Sequence, residues 1–191
     1  MSEDLLGVAR AWSRPKMSRA LLDALAVLES DREREHTAWL LKRTLAVEHA
    51  AEVIAIVVDV DEDPQVRSWL IEGLERLAHD ELGWHELGRV VSALTAERDS
   101  LLRSRLATLV GELPWRTTSL AIVEPLLLDD NRETVSTAAS VLARHPDAAA
   151  RVDPAIMERL RTSQVSGLRF SAKILDEAVR RTQSGPAGSD V

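Results

Sequence analysis

The sequence predicts an all-α chain of paired helices stacked in series, and three observations lead there. Although 45% of the residues are apolar, there is only one Phe and no Tyr. A core of Leu, Ala and Val suits helix-on-helix packing better than a β-sandwich. In the stretch 59–78, Val66, Leu70, Ile71, Leu74, Leu77 and Ala78 gather on one stripe of a helical wheel, whereas strict alternation fails at once. A single amphipathic helix of that length does not stay folded in water, so similar helices must lie against it. The chain supplies them: comparable units recur at spacings of 30, 36, 33 and 33 residues.

Ser2, followed by Glu3 and Asp4, starts a helix with acids at its positive end, and Leu5, Val8, Ala9 and Trp12 share one face. This predicts an N-terminal cap helix over residues 1–14, interrupted by Pro15. Residues 17–29, carrying Leu21, Leu22, Leu25 and Leu28, form the first helix of the first pair. The charged run 31–35 reads as a turn and 36–48 as the second helix. The nearly all-apolar 50–58 opens the second pair. Asp63 then caps a helix whose first position is taken by Pro64, which has no N–H to waste. Residues 84–96 and 101–113 make the third pair, closed by Pro114. Residues 117–128 and 133–144 make the fourth, with a kink expected at Pro125. Asp153-Pro154 repeats the acid–proline start, so 154–161 and 168–181 form a fifth pair. Residues 17–182 are thus one repeat domain, and 183–191, without apolar period, a flexible tail.

A polar signature accompanies the helices. An acidic residue followed six places later by Arg or a small polar residue marks the registers Asp31/Thr37, Asp61/Arg67, Glu97/Arg103 and Asp130/Ser136, with Ser163/Arg169 as a fifth that lacks the acid. The unit Asp61-Glu-Asp-Pro-Gln-Val-Arg67 resembles the HEAT repeat family, in which an acidic turn residue and a basic residue early in the second helix form a ladder between repeats. The resemblance covers roughly residues 17 to 181. It implies a right-handed α-solenoid of about five HEAT-like helical hairpins, an armadillo-type fold. Trp84-His-Glu-Leu-Gly88 is similar to the opening of a tetratricopeptide repeat, but Val91 stands where an aromatic is required and no second copy exists.

Composition narrows the function classes. Without cysteine there are neither disulfides nor thiolate metal sites, and no apolar run reaches the eighteen residues of a membrane span. The acidic opening Met-Ser-Glu-Asp is unlike a signal peptide. These features predict a soluble, cytoplasmic protein. A net charge of −7 disfavours nucleic acid and anionic membranes as partners.

No chemical motif survives inspection. Asp59, Asp61 and Asp63 imitate a calcium loop, but Pro64 holds the glycine position and Leu70 the closing one. His79, Asp80, Glu81, His85 and Glu86 cluster in sequence, yet the two histidines, six apart around Gly83, do not share a helix face, which favours a solvated turn. Phosphate-loop, dinucleotide, nucleophile-elbow and zinc-helix signatures are absent. The expectation is a non-enzymatic protein with no cofactor and no metal.

What remains is a surface. Trp39 and Trp69 lie two residues after Thr37 and Arg67, and Arg105 takes that place in the third repeat. The position sits about 120° from the centre of the apolar stripe, beside Arg43 and Arg76. Trp and Arg are the residues enriched in binding hot spots; the alternative is that each indole packs on the adjacent repeat. The five second helices carry twelve Lys/Arg against seven Asp/Glu. In solenoids such helices line the concave surface that receives extended partners. The expected function is a protein-binding scaffold presenting Trp39, Arg43, Trp69, Arg76, Arg103, Arg105 and Lys173 to an acidic protein or peptide. The HEAT resemblance brings two rivals: DNA glycosylase-like nucleic-acid binding, which requires a continuous positive groove, and bilin-lyase-like catalysis, for which no residue offers itself.

Overall fold

The computed structural model describes residues 13–78 and 81–183. Every regular element among them is helical. They form two compact units, up to Arg105 and from Leu106 onward. The first unit holds α1 (Arg14–Val27), α2 (Asp31–Thr44), a 3-10 turn (Val47–His49), α3 (Ala50–Val57), α4 (Pro64–Ala78), α5 (Trp84–Thr95) and the start of α6 (Ser100–Glu112). The second holds the rest of α6, α7 (Thr117–Val123) with a 3-10 turn (Glu124–Leu128), α8 (Arg132–Ala143), α9 (Pro146–Ala149), α10 (Pro154–Thr162) and α11 (Ser166–Gln183).

Within the first unit the hairpins α1–α2 and α3–α4 stack like on like: second helix α2 packs on second helix α4, and first helix α3 on first helix α5. The stripe predicted for α4 is the reason. Val66, Leu70, Ile71 and Leu74 are fully buried, each contributing roughly 1.5–3 kcal/mol by leaving water. Gly73 sets how close α2 comes, since a Cβ there would lie 3.1 Å from Lys42 Cα and 3.2 Å from Leu45 Cδ2. Arg19 spans from α1 to α3 with two bonds of 2.8 Å to Glu52. In the second unit α11 packs on α8, α10 and α9, and α8 also covers the 3-10 turn 124–128. Val135, Leu142 and Leu175 are the fully buried centre of that core.

Side-chain caps start three of the second helices. Asp63 Oδ1 accepts from the Gln65 and Val66 amides at 2.8 and 3.0 Å. Asp99 Oδ1 does so for Leu101 and Leu102, and Asn131 Oδ1 for Glu133 and Thr134. Each satisfies two of the amides that a helix start leaves over.

Three expectations are corrected. Residues 31–35 are not a turn but the opening of α2, because Asp31 and Glu33 sit at the positive end of the helix. The first helix of the first pair opens at Arg14 and not at residue 17, with Pro15 in its first turn, where its missing N–H is not needed. The short α9 was not expected from sequence at all. At Pro125 the helix does change, from α to 3-10. Apart from residues 13–14 and 183, the expected cap helix 1–14 and tail 183–191 lie outside the described residues, as do His79 and Asp80.

Candidate functional site

Aligning the second helices on the residue before each one gives Ser30, Asp63, Asp99, Asn131 and Val165 as equivalent positions. Four residues on stand Arg34, Arg67, Arg103, Val135 and Arg169. At Arg34 and Arg67 this arginine joins hairpins. Arg34 donates to the Leu25 and Leu28 carbonyls at 2.7 and 3.1 Å and pairs with Glu62 of the next hairpin's turn. Arg67, only 3% exposed, donates from Nε to the Val57 carbonyl at 2.9 Å and meets Glu97 at 2.9 Å. Burial pushes the Glu97 carboxyl up, but the amides of Asp99 and Arg98 and the Arg67 guanidinium outweigh it and hold it below the ordinary carboxylate value.

This frame shifts the expected aromatic row. Six residues after the cap stand His36, Trp69 and Arg105, so Trp39 lies one turn further along, at the position of Glu72 in α4. The shift follows from α2 beginning at Asp31. Arg43 and Arg76 do coincide, thirteen residues after their caps.

The side chains of α2, α4 and the start of α6 interlock across this face. Lys42 Nζ lies 4.1 Å from the centre of the Trp69 ring and 2.8 Å from Glu72. Glu72 also binds Arg105 at 2.8 Å, and Arg105 reaches Ser68 at 3.1 Å and Glu75 at 3.5 Å. Trp39 carries the Arg43 guanidinium 4.5 Å over its ring and stacks with His36 at 5.7 Å. Both indoles are half-buried, so each keeps an accessible edge while a cation covers a face. Arg76 donates to the Leu45 carbonyl at 2.5 Å, and burial, then the charge of Arg14, lowers its pKa.

The expected site residues therefore divide. Trp39, Arg43, Trp69, Arg76 and Arg105 are brought onto neighbouring helices. Arg105 is already paired, whereas Arg43 and Arg76 have no ion pair among the described residues. Arg103 turns back to the Arg98 carbonyl. Lys173 lies on α11 in the second unit, 3.9 Å from Glu177. Sequence reasoning missed Lys42, Glu72 and Glu75, the groups that cross-brace the face. Their signal was present in the spacing: Lys42 and Glu75 share the place twelve residues after their caps, one basic and one acidic.

Among the described residues no group of three or more His, Asp or Glu could hold a metal, and no helix is long and apolar enough to cross a membrane. No protein-family model and no curated protein sequence matches the chain. Among solved structures it is similar to a designed armadillo repeat protein, at 10% identity and a TM-score of 0.45, over 86% of this chain and 99% of the other.

Proposed function

We propose that the chain is a non-enzymatic protein-binding repeat module of HEAT-like hairpins, and that an acidic protein or peptide segment docks on the face of α2, α4 and the start of α6. The Arg34–Glu62 and Arg67–Glu97 pairs support the HEAT-like reading, since each links one hairpin to the next in the manner of a repeat ladder. The observation that carries the docking reading is that two part-exposed indoles, Trp39 and Trp69, lie on neighbouring helices with two arginines, Arg43 and Arg76, that form no salt bridge with a described residue. A flat aromatic supplies contact area at little entropic cost, and a guanidinium grips a carboxylate with two parallel bonds. Lys42, Glu72 and Arg105 hold the surface in place beforehand, which lowers the cost of ordering it on binding. The proposal is made without Lys173 and Arg103. Glu72 and Glu75 break any continuous positive groove, so a phosphate backbone is the poorer fit.

Capture from native lysate, comparing the wild type with Trp39→Ala/Trp69→Ala and with Arg43→Gln/Arg76→Gln, tests this. Both variants keep their helical content, and both lose the same partner. Retention of every partner by the two folded variants overturns the assignment.

A further inference from the structure

The second unit contains a cleft of about 380 Å³ lined by Trp115, Arg116, Arg144, His145, Asp147 and Arg151 among others. Three guanidiniums and one carboxylate line it, in a chain whose net charge is −7. The corner is built firmly. Trp115 and His145 stack with centroids 3.9 Å apart and planes 17° from parallel. The His145 carbonyl accepts from the Ala148 and Ala149 amides, both at 2.9 Å, which fixes the turn between α8 and α9. Arg144 is anchored by Glu112 at 2.9 Å. Arg151 is exposed and has no ion pair with any described residue. The lining is thus part rigid wall and part Arg151, with charge to spare.

We propose that this cleft binds the phosphate monoester group of a small metabolite. A guanidinium offers N–H groups in a planar fork that matches phosphate oxygens, and several forks around one group suit a tetrahedral dianion better than a single planar carboxylate. The cleft is of the size of small-molecule sites and far too small for a protein segment to fill by folding into it. Burial, then the neighbouring charge of Arg144, lowers the pKa of His145, so at neutral pH its ring keeps a lone pair and one N–H donor beside the arginines. The site lies wholly in the second unit and does not depend on the docking face.

Nuclear magnetic resonance titration of the full chain with ribose 5-phosphate, inorganic phosphate, ribose and succinate tests it, followed at the Trp115 indole N–H, which Trp115→Phe identifies. Ribose 5-phosphate is expected to saturate with a Kd below about 1 mM. Ribose leaves the signal in place, and succinate binds at least tenfold more weakly. Arg151→Gln alone weakens ribose 5-phosphate several-fold without lowering the melting temperature, and the folded Arg116→Gln/Arg151→Gln variant weakens it at least tenfold. The proposal is overturned if neither phosphate compound saturates, if succinate matches them, or if the folded double variant binds as the wild type does.

Discussion

The second helices opened by Asp63 in the first unit and Asn131 in the second begin alike and diverge at the fourth residue after the cap. In the first unit Arg34 and Arg67 hold that place, and both reach backward to carbonyls of their own hairpin and sideways to the acid of another. In the second unit it is Val135, fully buried, and then Arg169, which is exposed and donates to the Ser163 carbonyl at 2.7 Å. The same helical position is therefore a buried ionic joint at Arg67 and plain hydrocarbon core at Val135. The difference teaches that hairpin stacking does not require the ladder. Apolar contact suffices, and the arginine adds direction: its two ends fix which turn lies beside which helix.

The most damaging change to this comparison is Arg67→Ala. It strands the Glu97 carboxylate and the Val57 carbonyl in a nearly dry site, and removing one partner of a buried pair typically costs about 3–5 kcal/mol. Urea unfolding should show a loss of that order. Arg67→Met/Glu97→Gln should recover much of it, since the stranded charge goes too. Glu97 also gives the joint a pH signature. Its folded pKa lies below the ordinary value of 4.5, so its contribution is present above that value and fades as pH falls through the lower, folded one. Glu97→Gln should flatten the acid limb of stability, and an unchanged limb would remove the joint from the account. Val135→Ala, at the same position in the second unit, deletes two methyl groups from a closed core, for about 2 kcal/mol. That loss should not vary with pH between 3 and 7, a range chosen about the carboxyl values.

How much of this could be read from the chain is itself uneven, for physical reasons. Wherever a helix buries a stripe, as α4 does with Val66, Leu70, Ile71 and Leu74, the periodicity names it to within a residue or two. The opening of α2 has no such stripe: Asp31-Arg-Glu-Arg-Glu35 is polar all round, so only Ser30 and the first-turn acids marked the start, and the hydrophobic pattern was silent. That one misplaced boundary moved Trp39 by a turn relative to Trp69 and hid Arg34 as the equivalent of Arg67. The docking face was half legible. Aromatic and basic residues stood out, but the acids that bind them did not, because Glu72 and Glu75 on a charged flank look like solvated carboxylates until another helix is placed beside them.

Caps give a smaller and more even test. Asp63 and Asn131 each accept two amides at the start of the second helix, one in each unit. Replacing either by Ala should cost about 1 kcal/mol, as such caps do. Equal losses would show that the units differ at the joint and not in how their helices begin. A loss at Asp63 well above that at Asn131 would mean that the acidic turn helps the ladder as well as the cap.

The least effect is expected at Glu72, and it bears on the docking face more than on the fold. Its carboxylate is 34% exposed and holds Lys42 and Arg105 together. Water screens both pairs, so Glu72→Gln should lower stability by at most about 1 kcal/mol. Its consequence for recognition has the opposite sign. With Glu72 neutral, Lys42 no longer divides itself between the Trp69 ring and a carboxylate, and Arg105 keeps only Ser68 and Glu75. The face then carries one more uncompensated positive charge than before. An acidic partner of Trp39 and Trp69 should bind Glu72→Gln more tightly, by a few-fold at low salt and less as salt is raised. Tighter capture by a slightly less stable protein separates a docking surface from a patch whose only task is to hold α2, α4 and α6 together. Weaker capture, or none of the salt dependence, would assign these side chains to packing alone.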